Sequence, residues 1–101
     1  MFRISGVKPR YFEFEAPDNG RVLHIEPPKL KTMNQLNNLA KAKQSGISET
    51  ANVIAKIISK NKENRRIDAN MVMEWMDGDQ LTAFLKAFVG WMKDEKESDP
   101  N

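Results

Sequence analysis

The chain has 101 residues, enough for one small domain and too few for two. Leu, Ile, Val and Phe supply 23 of those 101 residues, just above the roughly 20% below which chains stay disordered, so a modest core is expected and a large buried active site is not. There is no cysteine, which excludes disulfides, thiolate chemistry and cysteine metal sites.

Charge is spread unevenly. Residues 1–66 hold 13 basic and 6 acidic side chains, a net of +7, whereas residues 67–101 hold 3 and 8, a net of −5. The formal +2 therefore hides a bipolar chain. Either the two halves attract each other or lie on solvated faces, or the basic half offers a surface to an acidic partner such as nucleic acid. The longest stretch without a charged residue, Thr32 to Ala40, is far short of the ~20 apolar residues that span a bilayer, so no membrane partner is expected. Met1-Phe2-Arg3-Ile4-Ser5 lacks an apolar signal core, which points to a cytoplasmic protein.

In chain order, Phe2 to Val7 offers a short leading strand, interrupted by Gly6 and followed by Pro9. Tyr11-Phe12-Glu13-Phe14-Glu15 alternates apolar and acidic residues from Phe12 on, the period of a half-buried strand. Arg21-Val22-Leu23-His24-Ile25 reads as its partner, with Ala16-Pro17-Asp18-Asn19-Gly20 as the turn. Pro27-Pro28 closes the strand region. Thr32-Met33-Asn34-Gln35 fits a capping box for a first helix that carries Leu36, Leu39 and Ala40 and ends at Gly46. A second helix starts near Ser48 with the stripe Ala51, Ile54, Ile57 and Ile58. Lys60 to Arg66 reads as a polar connector. Asp68 caps a short third helix with Met71, Val72, Trp75 and Met76, and Gly78 stops it. Asp79 opens the last helix, whose core positions are Leu81, Phe84, Leu85 and Phe88, followed by Met92. Gly90 lies inside that helix, marking either a close contact or a tolerated defect. The expected fold is α+β: one domain over residues 1–93, with an antiparallel hairpin at about 10–26 packed on about four helices at about 32–93. Residues 94–101 read as a flexible charged tail.

Motifs for chemistry are sparse. His24 is the lone histidine, on a strand face opposite Leu23 and Ile25, and no nucleophile motif accompanies it; it reads as a surface strand residue. No second His exists to complete a metal set, and Glu13 with Glu15 read as solvated edge charges. Asp77-Gly78-Asp79 lacks the spacing of a calcium loop, and no glycine-rich phosphate loop is present. Neither a catalytic residue, a metal nor a cofactor is expected. In Lys60-Asn61-Lys62-Glu63-Asn64-Arg65-Arg66 the acidic Glu63 breaks the run and no aromatic is interleaved, so a solvated interhelical loop is preferred to a nucleic-acid contact. Met73 and Trp91 fall off the main stripes of their helices. Together with Met92 they are the candidate partner-binding residues, because Met and Trp adapt and bury large area at interfaces.

The order of these features resembles the small tail assembly chaperones of long-tailed, siphovirus-type bacteriophages. Two stretches carry the resemblance: Tyr11-Phe12-Glu13-Phe14-Glu15 leading to Val22-Leu23-His24-Ile25-Glu26-Pro27-Pro28, and Asp79-Gln80-Leu81 leading through Phe84 and Phe88 to Trp91. A basic first half and the Gly90-Trp91 pair depart from the family style. The resemblance implies a non-enzymatic scaffold that binds the tape-measure protein, recruits major tail-tube subunits in the host cytoplasm, can self-associate, and leaves the mature virion. It also raises a longer product made by ribosomal slippage, for which Asp99-Pro100-Asn101 can encode a slippery heptanucleotide. The alternatives are a small nucleic-acid-binding regulator of phage or mobile-element origin and a structural head–tail connector subunit.

Overall fold

The computed structural model describes residues 1–41 and 46–97. Strands β1 (Phe12–Glu15) and β2 (Val22–Ile25) pair antiparallel in the register Phe12↔Ile25, Glu13↔His24, Phe14↔Leu23 and Glu15↔Val22. Cross-strand partners share a face, so Phe12, Phe14, Leu23 and Ile25 turn inward while Glu13, Glu15, Val22 and His24 turn outward. The turn closes through Ala16 N–H to the Arg21 carbonyl at 2.9 Å and Gly20 N–H to the Ala16 carbonyl at 2.8 Å. Gly20 has φ +71°, which a residue without Cβ adopts freely.

The leading strand expected at Phe2–Val7 does not form. Residues Ile4–Gly6 make one 3-10 turn, and Phe2, Ile4 and Val7 stay exposed. Gly6 favours the turn, and Pro9 has no N–H to donate to a ladder.

Four helices follow: α1 (Leu30–Lys41), α2 (Ile47–Ser59), α3 (Ala69–Trp75) and α4 (Gly78–Glu97), giving an α+β fold. α1 starts ahead of the expected capping box. Met33 N–H already bonds the Lys29 carbonyl at 3.0 Å, so Thr32 lies within the first turn and the Gln35 side chain instead accepts from Lys56 Nζ at 3.4 Å. The Pro27-Pro28 pair ends the strand and lets the helix begin two residues on. The expected stop of this helix at Gly46 depends on residues 42–45, outside the described residues; Gly46 itself is extended and precedes α2, its N–H donating to Glu49 at 3.2 Å.

α2 is the centre of the molecule. Hairpin, α1 and α3 all pack on it, so Val53 and Ala55 are buried beside the expected Ala51, Ile54, Ile57 and Ile58. Asp68 caps α3 as expected, accepting from Met71 N–H at 2.9 Å. The next boundary differs from expectation. Gly78 opens α4 rather than stopping α3, and the cap is Asp77 rather than Asp79. Asp77 Oδ1 accepts Gln80 N–H at 2.8 Å while Gln80 Oε1 accepts Asp77 N–H at 2.9 Å, a reciprocal capping box. α4 also continues to Glu97, past the domain end drawn at residue 93 and into the tail expected at 94–101, of which residues 98–101 lie outside the described residues.

Phe88 (0% exposed) and Phe84 (8%) carry α4 into the core, whereas Leu81 and Leu85 remain half-buried. Phe12 meets Phe84 and Phe88 edge-on at 5.9 and 5.3 Å, and Phe14 meets Phe84 at 5.7 Å, a favoured ring geometry. Trp75 of α3 stacks on Phe14 at 6.2 Å. A Cβ on Gly90 would meet nothing within 4 Å, so this glycine is not a close-packing contact.

The segment expected as a solvated loop, Lys60–Arg66, is instead part of the fold. It runs along the free edge of β2: Asn61 bridges Ile25, Glu26 N–H donates to the Lys60 carbonyl at 2.8 Å, and Lys62 N–H donates to the His24 carbonyl at 2.9 Å. An uncovered strand edge presents unpaired backbone groups, and this segment satisfies them. Asn61 is buried and holds the bend, donating Nδ2 to the Ile58 and Arg65 carbonyls at 2.7 and 2.8 Å while Oδ1 accepts Arg65 N–H at 2.8 Å.

Candidate protein-binding groove

Met33, Leu36 and Leu39 recur on α1 at steps of three, and Leu85, Val89 and Met92 recur on α4 at steps of four and three. Each row forms a helical stripe, but all six side chains are only half-buried. α1 packs on α2, Leu36 and Leu39 lie against the core, and none of the described side chains of α1 is fully buried. Between α1 and α4, floored at Thr50 of α2, lies an open apolar groove of about 540 Å³. A second hollow of about 360 Å³ continues past Thr50, bounded by Ile47, Met73, Met76 and Leu81. Both volumes are of the order of natural ligand and peptide sites.

The three candidate partner residues are not brought together in one place. Met92 lines the groove, and Met73, 42% exposed, lines the second hollow. Trp91 lines neither. Its ring lies 5.6 Å from Phe12 and 5.4 Å from Phe88, with the Arg10 guanidinium 4.2 Å above it. Leu81 and Leu85, expected as core, pack half-buried against the core and also border the hollows. Sequence reading did not single out Met33 and Val89 for this surface. The available signal was the thinness of the α1 stripe, whose other residues Asn34, Asn37 and Asn38 add nothing to bury.

Two basic side chains of the connector, Lys60 and Arg65, are paired within the fold. A polar cleft of about 650 Å³ is bounded by Lys56, Lys60, Arg65 and Arg66 together with Asp68. Lys60 Nζ sits 2.8 Å from Glu26, and the Arg65 guanidinium grips both oxygens of Asp18. The hydrogen bond from Arg65 holds the Asp18 carboxyl below its ordinary range, and the same pair raises Arg65.

His24 is likewise engaged. Glu63 accepts the His24 backbone N–H at 2.8 Å and faces its Nδ1 at 2.5 Å. An ionised carboxylate only accepts, so Nδ1 carries the proton toward Glu63. The backbone donor first, then the ring, pulls the Glu63 carboxyl below its usual range. Nε2 lies 3.8 Å from Glu13. The side chain that a search for a general base would single out thus ties the connector to the hairpin. Among the described residues no group of three or more His, Asp or Glu is placed to hold a metal ion, and no helix is long and apolar enough to cross a membrane. Comparison with protein families, with curated proteins and with solved structures returned no match.

Proposed function

We propose that this chain is a non-enzymatic assembly chaperone of long-tailed bacteriophages that covers apolar helical stretches of the tape-measure protein and helps recruit tail-tube subunits in the host cytoplasm. The observation that carries this reading is the open groove between α1 and α4, with Met33 and Met92 among its apolar walls. A groove of this kind accepts the apolar face of an amphipathic helix, and methionine walls adapt to more than one sequence register.

Co-expression with the tape-measure protein tests it. Wild-type chain raises the soluble yield of that protein, and Met33→Asp, which puts a charge on the groove wall at a side chain outside the core packing, abolishes the gain. A tape-measure yield unchanged by the wild-type chain overturns the proposal. Because Trp91 packs on Phe12 and Phe88, a Trp91→Ala loss would report the fold rather than the contact.

A further inference from the structure

The polar cleft beside α2 shares no lining residue with the groove between α1 and α4. Its charge is one-sided: Lys56, Lys60, Arg65 and Arg66 line it against one acidic side chain among the described residues, Asp68. We propose that this cleft is a docking site for an acidic peptide segment of a partner protein, with Lys56 and Arg66 as the main anchors for its carboxylates. The site is separate from the tape-measure groove and does not depend on that reading.

The walls are set before any ligand arrives. Asn52, Ala55, Lys56 and Ser59 recur at helical spacing on one face of α2, and residues 64–69 form the wall across from them. Short side chains at Ala55, Ser59 and Ala69 leave an open space of about 650 Å³. Ser59 Oγ donates to the Ile67 carbonyl at 2.8 Å and accepts the Ile67 N–H at 2.9 Å. The Asn61 amide holds both the carbonyl and the N–H of Arg65, each at 2.8 Å. The connector wall is thus pinned to α2 on either side of Arg66, and a pre-set wall loses less conformational freedom on binding.

The four cations differ in what they already hold. Lys60 pairs with Glu26 and Arg65 with Asp18, so two of them grip carboxylates of this chain that lie outside the cleft lining. Lys56 and Arg66 are exposed, and neither has a carboxylate within ion-pair distance among the described residues. Lys56 Nζ donates instead to the neutral Gln35 Oε1 at 3.4 Å. An ammonium has three donors and a guanidinium five, so both retain capacity for an incoming carboxylate. Clustered basic side chains are a recurring means of recognising acidic segments. Lys56 and Lys60 stand one turn apart, about 6 Å along α2. Same-face side chains of an extended peptide repeat at a similar step, so acidic residues at alternate positions match them. The Asn52 and Asn64 amides line the same cleft and can bond the peptide backbone. Nucleic acid suits it less well: no aromatic ring lines the cleft for a base to stack on, and Asp68 sets a like charge against phosphates.

Fluorescence anisotropy of a fluorescein-labelled peptide of alternating Glu and Ser, titrated with the full chain at low ionic strength, tests the site. The wild type binds this peptide, and added salt weakens the binding. Lys56→Gln/Arg66→Gln, altered only at exposed positions, keeps its circular dichroism and melting temperature but binds roughly fivefold or more weakly. Arg3→Gln/Lys8→Gln removes the same charge from exposed positions outside the cleft and leaves binding unchanged. A wild type that does not bind the peptide, undiminished binding in Lys56→Gln/Arg66→Gln, or an equal loss in Arg3→Gln/Lys8→Gln overturns the proposal. So does tighter binding of an equally labelled single-stranded or duplex DNA. Met33→Asp, which alters the groove alone, leaves peptide binding intact, so this result and the tape-measure co-expression result are read separately.

Discussion

Phe88 and Asn61 carry the fold by opposite chemistry. Phe88 is fully buried, with its ring against those of Phe12, Phe84 and Trp91. Phe88→Ala removes those contacts and leaves a cavity, at an expected cost of about 3–5 kcal/mol. On a domain with ~5–15 kcal/mol of stability this is severe, and denaturant unfolding measures it. Asn61 is a buried amide whose hydrogen bonds all go to backbone, at Ile58 and Arg65. In Asn61→Ala the Arg65 N–H loses its acceptor and two carbonyls lose a donor, with an expected cost of about 2–3 kcal/mol. Asn61→Asp, which sets an acceptor-only carboxylate oxygen against the Ile58 and Arg65 carbonyls, should be no more stable than Asn61→Ala at neutral pH.

Helix boundaries and interiors are set by local chemistry. Asp77 and Gln80 satisfy each other's free N–H groups at the start of α4, so one helix ends and the next begins at Met76-Asp77 without needing a glycine stop. Inside the same helix, Gly90 adds backbone freedom in the unfolded chain without any packing return, since a Cβ there meets nothing within 4 Å. Gly90→Ala is therefore expected to stabilise the domain by about 0.5–1 kcal/mol, read as a higher denaturant midpoint at unchanged slope. A loss of stability on this change would mean that Gly90 is covered, as a partner surface would cover it.

At the scale of the molecule, the connector is fastened to the hairpin by two carboxylates, Asp18 on Arg65 and Glu63 on His24. Both have their pKa lowered by these bonds. A lowered carboxylate binds fewer protons folded than unfolded, so stability rises with pH through its titration range. Their contribution is complete at neutral pH, begins to fade as pH falls through the ordinary carboxylate range near 4, and is gone below the lowered native values. The melting temperature should fall on the acid side, and the fall should be shallower in Asp18→Asn/Glu63→Gln. An equal acid fall in the double variant would show that these contacts do not hold the connector.

Composition and periodicity alone determined the α+β class, the hairpin face, the α2 stripe and the cap at Asp68, because each depends on residues within one turn or one strand. The turn at Ala16–Gly20 and the inward pair Phe12 and Phe14 belong to this class. What only the tertiary structure decided depends on partners far apart in the chain. Lys60–Arg66 has the composition of a loop, and it became an edge cover because Asn61 meets Ile25 and Glu63 meets His24, 39 residues away. Leu85 and Met92 have the spacing of core residues. They also became the walls of a groove because the aromatic rings of Phe12 and Phe14 draw the neighbouring face of α4, with Phe84 and Phe88, onto the hairpin, leaving the α1 side of the helix only half-covered.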